Sequence, residues 1–488
     1  MRDKCEERYY LVEIAMIALT FICACSIALN PYTWFDESFT ISLARKPVTE
    51  LIRITGMDVH PPLYYLTVKL FITVFGDRLF VYHLPSLLCY AALIAVSAIF
   101  FHRYFNARIS LLVTTAFCSV PGMLEHALWI RMYSMAMLFV TTGVFAAYII
   151  MKKCDEDISF LRLWKHWTGL SLINVAAAYT HYFAGVAAAG ISLFLLAFIL
   201  LKKKRLRAVL PWMIHCAIMV ALYLPWMPVL FRQMSRIDGN YWIEPLSEMA
   251  LHTYPDIVFF MKNDLSRQLL IIIFLTGCFL FLVYFVRDAK SIWVLGCYAV
   301  VLLWLMFGIG YSVLRNPILI NRYFVILIPL LWILPLYGHA CFNKGTALAA
   351  VIVVFTACFI QNYEEQYDYF AKSYSSSVYS YLKSNLQEDD VFFHSFVQNL
   401  TIYEAYFPQY EHYVLNTTLD MELESVIALT NGKIIDSIEE ISDDAVNIWC
   451  SDDSGISQFD ITTFETIGYG VEIVELRGGR LYHVYSLH

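Results

Sequence analysis

The sequence predicts a polytopic α-helical membrane protein with a small α/β domain at its C-terminal end. Of the 488 residues, 59% are hydrophobic and only 15% are charged, whereas soluble domains are about 45–50% apolar and about 25% charged. Apolar runs of roughly the length that a membrane-spanning helix needs recur through residues 1–361 and stop there. This composition excludes an ordinary soluble enzyme, because too few polar residues remain to cover a water-facing surface.

The apolar runs predict about eleven transmembrane helices. They cover residues 9–29, 80–101, 109–124, 133–151, 167–180, 183–201, 208–229, 268–286, 291–312, 323–340 and 345–361. Residues 62–76 are also apolar but short for a span, and the sequence leaves open whether they cross the bilayer. We therefore assign residues 1–361 to a membrane domain.

Basic loops predict the orientation of this domain, since Lys and Arg accumulate on the cytoplasmic side. The clearest such loop is 202–207, with five Lys or Arg residues in six. Its placement in the cytoplasm puts the loop 30–61, the loop 125–132 and the C-terminal region on the outer face. Within the first outer loop, residues 38–44 and 48–54 have the amphipathic pattern of short interfacial helices.

Residues 362–488 differ in both charge and periodicity. They hold 22 acidic and 5 basic residues, whereas the preceding 361 residues hold 19 acidic and 29 basic. Alternating apolar residues predict strands at 391–393, 413–415, 448–450, 471–474 and 482–484. Helical spacing is found at 374–386 and 396–406. We predict an extracytoplasmic α/β domain whose acidic surface favours solubility.

The first outer loop holds the residues best suited to chemistry. Asp36 and Glu37 follow the first span directly, and charged groups retained beside a bilayer often mark function. One of two adjacent carboxylates can accept a proton while the other orients a substrate or metal. His60 is fixed before two prolines on the same side, where its imidazole could join a carboxylate on a divalent ion. The alternative is a solvated helix end within an aromatic belt.

Arginines occur on the same predicted face. Arg131 lies at an outward helix start and Arg322 borders the last outer loop, where a guanidinium is a natural partner for phosphate. The alternative is that these side chains only extend towards the interface. Acids and arginines together above a lipid-facing bundle suit a lipid-phosphate substrate that carries a sugar or similar head group.

Seven short motifs follow one another between residues 34 and 323. They are Trp34-Phe35-Asp36-Glu37, His60-Pro61-Pro62-Leu63-Tyr64-Tyr65, Phe75-Gly76-Asp77, Leu84-Pro85-Ser86, Arg131-Met132-Tyr133-Ser134, Tyr179-Thr180-His181-Tyr182-Phe183 and Arg322-Tyr323. In this order they resemble bacterial glycosyltransferase family 39. Its members are related to the protein O-mannosyltransferases and the lipid A aminoarabinose transferases, and they have the GT-C fold.

The resemblance implies transfer of a hexosyl or pentosyl group from a polyprenyl-phosphate carrier to an acceptor hydroxyl. It implies that Asp36 is the general base and Glu37 a further catalytic acid. It also implies that Glu37 and His60 place the substrate or a divalent metal ion. The departing phosphate would bind Arg131, Arg322 and Tyr133.

One motif departs from the family pattern. Many relatives carry an acid two positions before the motif arginine, where this chain has Trp129. Either Glu125 takes that second acidic role, or Trp129 stacks on a sugar face. We count both with His181 and Tyr65 as candidates for binding substrate or supplying a second acid.

The leading hypothesis is therefore a multi-pass glycosyltransferase of the bacterial cytoplasmic membrane that serves the cell envelope. Its expected partners are a polyprenyl-phosphate sugar, an acceptor protein, glycan or glycolipid, and membrane lipids, with no nucleic acid. The main alternative is a transporter or flippase. Transporter cores usually contain internal repeats and broken helices at the midplane, and no repeat is evident in this sequence.

Overall fold

The computed structural model describes residues 2–155, 160–203, 209–237, 243, 263–342, 344–416, 424–441, 447–451 and 458–487. The chain forms two compact units. The bundle unit comprises Met1–Cys25, His60–Tyr64 and Leu84–Glu364. The sheet unit comprises Ser26–Val59, Tyr65–His83 and Glu365–His488. The sheet unit thus combines the first loop with the C-terminal region, whereas the sequence predicted a division at residues 361/362.

Helices account for most of the described chain. They are α1 (Arg2–Ala28), α2 (Phe35–Arg45), α3 (Val48–Thr55), α4 (Leu63–Phe75), α5 (Leu79–Tyr104), α6 (Ala107–Ser119), α7 (Pro121–Leu128), α8 (Tyr133–Asp155), α9 (Phe160–Thr180), α10 (Tyr182–Lys203), α11 (Leu210–Tyr223), α12 (Met227–Ile237), α13 (Asp264–Val283), α14 (Ala289–Leu314), α15 (Asn321–Phe324), α16 (Ile328–Phe342), α17 (Gly345–Ala371), α18 (Tyr374–Asn385), α19 (Val397–Tyr406), α20 (Glu424–Ile427) and α21 (Gln458–Thr466). The strands are β1 (Val391–His394), β2 (Glu411–Leu415), β3 (Lys433–Ile435), β4 (Asn447–Ser451), β5 (Tyr469–Leu476) and β6 (Gly479–Ser486).

The predicted multispan helical class is confirmed. Within the described residues, nine helical segments are long and apolar enough to cross a bilayer. A tenth results if α6 and α7 count as one span with a 55° bend. Pro121 begins α7 at that bend, as expected of a residue without a backbone N–H. The predicted run 167–180 lies in α9, which begins with several polar residues and does not qualify as a span by composition.

The short apolar segment 62–76 forms α4, a helix of 13 residues. At 1.5 Å per residue it is about 20 Å long, less than the roughly 30 Å of a hydrocarbon core. Its C-terminal end is closed by Gly76, whose φ of 89° is accessible to glycine. Helix α4 is therefore too short to cross the bilayer alone.

Small residues allow close helix packing in the bundle unit. Helices α13 and α16 cross at Gly277 and Gly338, where a Cβ atom on either glycine would collide with the backbone of the other helix. Such small-residue crossings are typical of membrane helices, whose association depends on close van der Waals contact. Trp304 of α14 adds a hydrogen bond from its Nε1 to the carbonyl oxygen of Phe183, at 3.0 Å. Together these contacts hold helices of the bundle unit close to one another.

The C-terminal part of the sheet unit is an α/β domain with a six-stranded mixed sheet in the order β3-β2-β1-β4-β6-β5. Strands β1 to β4 run parallel to one another, while β6 is antiparallel to both β4 and β5. All five predicted strands and both predicted helices of this region occur. The sequence did not predict β3, which has only three residues, or the helices α20 and α21.

The first loop folds as two helices, α2 and α3, at the two predicted amphipathic segments. Helix α2 packs against α19 of the α/β domain. Ser38 Oγ lies 3.0 Å from Thr401 Oγ1, and the Tyr406 hydroxyl donates to the Pro31 carbonyl oxygen at 3.2 Å. The Tyr32 and Tyr369 hydroxyls are hydrogen-bonded at 2.8 Å. The acidic motif therefore belongs to the same compact unit as the C-terminal sheet.

Candidate functional site

A group of cationic and imidazole side chains, here called the basic cluster, lies in the bundle unit, and all of them except the half-buried Arg322 are buried. It consists of His60, Arg131, His181 and Arg322. Arg131 is 3% exposed, and its Nη2 lies 3.5 Å from His60 Nε2. Because a guanidinium can only donate, His60 accepts this contact through Nε2.

Two sequence motifs fix the backbone of Arg131. Ser86 donates its hydroxyl proton to the Arg131 carbonyl oxygen at 3.0 Å. Its oxygen lies 2.7 Å from the hydroxyl of Tyr64, which therefore donates to it. All of these groups are buried, so a missing partner would leave a polar atom unsatisfied in an apolar layer. The Pro-Pro-Leu-Tyr and Leu-Pro-Ser motifs thus hold the arginine in place.

His181 occupies the turn between α9 and α10 and is 2% exposed. Its Nδ1 accepts a hydrogen bond from the backbone N–H of Phe183 at 3.2 Å, which places the proton of a neutral imidazole on Nε2. Nε2 has no hydrogen-bond partner among the described residues. Burial, with nearby His60, Arg131 and Arg322, lowers the pKa of His181 well below its usual range. His181 is thus a neutral hydrogen-bond donor among cations.

Aromatic rings surround the basic cluster. The ring of Tyr323 lies 5.1 Å from His181 and stacks on Phe183 at 4.9 Å. Tyr133 lies 6.0 Å from His181 and 5.2 Å from His126. These rings exclude water, which strengthens the attraction of the arginines for an anion. Arg322, in the short helix α15, is half-buried beside this group.

The unusual tryptophan of the Arg-Met-Tyr motif is part of the same aromatic group. Trp129 is half-buried, and its ring centroid lies 4.2 Å from that of His126. His126 donates from Nδ1 to the Gly122 carbonyl oxygen at 2.8 Å. Glu125 is the half-buried residue of α7, whose other residues are buried. Glu125 and Trp129, the two candidates to replace the acid that relatives carry, are thus both partly exposed.

The predicted acids lie in the first turn of α2, in the sheet unit. A helix N-terminus carries partial positive charge and stabilises carboxylates. Glu37 is fully buried, whereas Asp36 is half-buried. Beyond the effect of burial, the Glu37 charge raises the pKa of the Tyr32 and Tyr406 hydroxyls. The two acids therefore differ in access, although they are adjacent in sequence.

The structure groups the predicted residues by unit. The bundle unit contains His60, Glu125, Trp129, Arg131, Tyr133, His181 and Arg322. The sheet unit contains Asp36, Glu37 and Tyr65, whose hydroxyl lies 3.4 Å from Asp58 Oδ2. The sequence did not single out His126, Tyr323, Tyr32 or Tyr406 as site residues. His126 and Tyr323 are each next in sequence to a predicted site residue, and that adjacency was the available signal. Tyr406 lies too far along the chain from Asp36 for any local signal.

A metal site was predicted at His60 and Glu37. Among the residues that the structure describes, no group of three or more His, Cys, Asp or Glu side chains could hold a metal ion. The neighbour of His60 Nε2 is a guanidinium, which occupies the coordinating atom and repels a cation. These side chains therefore do not fit a metal ion.

Solved structures with the same fold include membrane proteins that bind polyprenyl phosphates. ArnT from Cupriavidus metallidurans matches in the apo state with a TM-score of 0.64 and 11% identity, over 98% of both chains. Its complex with undecaprenyl phosphate matches with a TM-score of 0.63 and 12% identity, over 98% of both chains. The archaeal oligosaccharyltransferase AglB from Archaeoglobus fulgidus, in complex with an inhibitory peptide and a dolichol-phosphate, gives 0.50 and 9%. That match covers 99% of this chain and 75% of AglB.

At the level of sequence, no protein-family model matches the chain and no curated protein matches it. The shared fold therefore rests on the structure. The two matches to ArnT extend over nearly the whole of both chains and include the C-terminal region. The chain has the GT-C fold that the seven motifs led us to expect.

Proposed function

We propose that this protein transfers a sugar from a polyprenyl-phosphate carrier to an acceptor hydroxyl on the outer face of the membrane. The observation that carries the proposal is the buried Arg131, held beside His60 and His181 by two sequence motifs. Arg131 is 3% exposed, and in such a water-poor setting a guanidinium attracts an anionic oxygen more strongly than it does in water. A lipid phosphate supplies such an anion at membrane depth, and ArnT and AglB, which share the fold, bind lipids of this class.

The reaction makes one bond and breaks one. Asp36 removes the proton from the acceptor hydroxyl, and that oxygen attacks the anomeric carbon of the sugar. The bond between this carbon and the phosphate oxygen breaks, and its electron pair stays on the phosphate. Arg131 and Arg322 stabilise the growing negative charge, which an arginine does through paired N–H donors.

The difference in burial supports distinct roles for the two acids. A general base must reach the proton of its substrate, and Asp36 is the half-buried acid of the pair. Glu37 is fully buried within the sheet unit. We assign proton removal to Asp36 and positioning to Glu37.

We favour Trp129 over Glu125 at the position where relatives carry an acid. Its ring belongs to an aromatic group with His126 and Tyr133 and is half-buried. A flat apolar ring of this kind can pack on a sugar face. Under this reading the chain uses one external acid, Asp36, for proton transfer. The proposed step passes through no metal ion, and EDTA treatment of the active enzyme should therefore leave turnover unchanged.

The test is turnover with a panel of undecaprenyl-phosphate sugars and purified protein in detergent or nanodiscs. We expect release of undecaprenyl phosphate with at least one hexosyl or pentosyl donor when an acceptor extract is present. Uptake or translocation of the lipid without cleavage of the sugar would contradict the proposal and favour a flippase. The released lipid and the product identify the sugar and the acceptor class.

The proposal also places the C-terminal domain outside the cytoplasmic membrane of a bacterium. Cys450 is a buried thiol of β4 and the single cysteine of that domain. A cysteine placed at the exposed Glu472 would react with an impermeant maleimide in intact spheroplasts if the domain faces outward. Labelling only after lysis would contradict this orientation.

A further inference from the structure

Arg45, the last residue of α2, makes contacts that the proposed chemistry does not use. Its Nε donates to Asp77 Oδ2 at 2.9 Å and its Nη2 to Asp77 Oδ1 at 3.3 Å. The same guanidinium donates to the carbonyl oxygens of Glu404 and Ala405 at 3.3 and 3.1 Å. The side chain is 26% exposed. One residue thus ties the acidic helix to two other parts of the sheet unit.

The two carbonyls belong to the last turn of α19. Carbonyls there have no partner within their own helix, and the end of a helix carries partial negative charge that favours a cation. A guanidinium meets both needs because its planar fork donates in several directions at once. Arg45 therefore caps α19 while it ends α2.

Asp77 is presented to Arg45 by the Phe-Gly-Asp motif. Gly76 ends α4 with a positive φ and redirects the chain, so that Asp77 follows at once. The Tyr82 hydroxyl donates to Asp77 Oδ1 at 2.7 Å, which orients the carboxylate. Burial acts to raise the pKa of the Asp77 carboxyl, but the hydrogen bonds from Arg45 and Tyr82 outweigh it and hold that pKa below its usual value.

We propose that Arg45 is a positioning residue that fixes the acidic helix α2 on the C-terminal domain, so that this domain sets the orientation of Asp36. The inference rests on the proposed function, in which Asp36 takes the acceptor proton. Helix α2 has only eleven residues, so a tilt at Arg45 is transmitted to its first turn. The pairing of Ser38 with Thr401 holds the other end. The C-terminal domain therefore contributes to catalysis without contacting the substrate.

The test compares Arg45→Gln and Asp77→Asn with wild type, and Lys433→Gln is the matched control. Lys433 lies on β3 of the same domain and pairs with Glu411 at 2.8 Å. We expect kcat to fall about 10- to 100-fold in the two test variants, as a displacement of about 1 Å does. KM for the lipid donor and the affinity for undecaprenyl phosphate should stay unchanged. Hydrogen–deuterium exchange of peptide 35–45 should accelerate in these variants alone.

Arg45→Lys serves as the conservative variant, because it keeps the charge but cannot reach Asp77 and both carbonyls together. It should recover part of kcat, and it keeps the inference testable if Arg45→Gln does not fold. Wild-type kcat in folded Arg45→Gln or Arg45→Lys, with faster exchange of α2, would overturn the inference. A change in KM for the lipid donor with an unchanged kcat would also overturn the inference. If wild type and Asp36→Asn release lipid phosphate equally, the proposed function fails first and the positioning role with it.

Discussion

The basic cluster and the acidic helix are built in different ways. Arg131 and His181 are enclosed by membrane helices and aromatic rings, and their surroundings are nearly dry. Asp36 and Glu37 lie at the start of a short helix held by hydrogen bonds to an α/β domain. The cluster therefore suits an anion that arrives at membrane depth, while the acidic helix suits a hydroxyl that arrives from water. Under the proposed function, recognition of the donor and recognition of the acceptor can therefore be altered separately.

Loss of the base should have the largest effect. Asp36→Asn removes the proton acceptor but keeps the shape, and general-base catalysis contributes about 10²–10⁴-fold. We expect kcat for lipid-phosphate release to fall by at least about 10²-fold. Glu50→Gln, which changes an exposed acid of the same loop, should retain wild-type kcat. Equal activity of Asp36→Asn and wild type would remove Asp36 from the mechanism.

Loss of the buried arginine should come next. Arg131→Gln removes a donor to the leaving phosphate, a change that typically costs about 10²–10³-fold in kcat. KM for the lipid donor should also rise, unlike in Asp36→Asn. Arg131→Lys should recover only part of the activity because it lacks the planar fork. Arg267→Gln, at the surface pair with Asp264, serves as the control. Equal KM values in Arg131→Gln and wild type would show that this arginine does not bind the donor.

The neutral donor in the cluster should contribute less. His181→Phe keeps a ring beside Tyr323 but removes Nε2–H and the acceptor for the Phe183 N–H. One neutral hydrogen bond is worth about 0.5–1.5 kcal/mol. We expect the Kd for undecaprenyl phosphate to rise about 3- to 10-fold, measured by tryptophan fluorescence. His166→Phe, near the other end of α9, should leave Kd unchanged, and an unchanged Kd in His181→Phe would argue against a ligand contact.

The smallest effect at pH 7 is expected in the sheet unit. His394 Nε2 and His412 Nδ1 lie 3.1 Å apart, and both rings are buried. Burial lowers the pKa of both, so the unfolded state binds more protons below about pH 6.5. Stability is therefore fully present above that pH and falls as the pH drops, by about 1.4 kcal/mol per pH unit for each proton that only the unfolded state binds.

Hydrogen–deuterium exchange of peptides from β1 and β2 measures this loss between pH 7.5 and 5. Exchange must first be corrected for its intrinsic pH dependence. His394→Gln should reduce the slope of protection against pH. An identical slope in that variant and wild type would show that the pair does not carry the effect. Donor binding by the bundle unit should not follow the same profile.

The sequence predicted local structure well where side-chain periodicity is strong. The strands at 391–394 and 447–451 have alternating or continuous apolar residues, and both were predicted. Strand β3 was not, since three residues are too few to show a period. The run 109–124 was expected as one span, but Pro121 starts a new helix there.

Long-range contacts were beyond sequence patterns. The approach of Ser38 to Thr401 joins residues 363 positions apart, and no local pattern encodes it. The same holds for Arg45 at the end of α19. For His60, Arg131 and His181, the sequence predicted only that they lie on the same face of the membrane, and it did not predict that they form a cluster. The contacts of its imidazoles, His181 with a backbone N–H and His60 with a guanidinium, depend on three-dimensional packing.

The most direct test of this division of roles is the affinity of three proteins for undecaprenyl phosphate in nanodiscs. The account predicts that wild type and Asp36→Asn bind it with the same Kd. It predicts that Arg131→Gln binds at least about tenfold more weakly, a loss of about 1.4 kcal/mol. Equal weakening in Asp36→Asn and Arg131→Gln, or none in Arg131→Gln, would contradict the account.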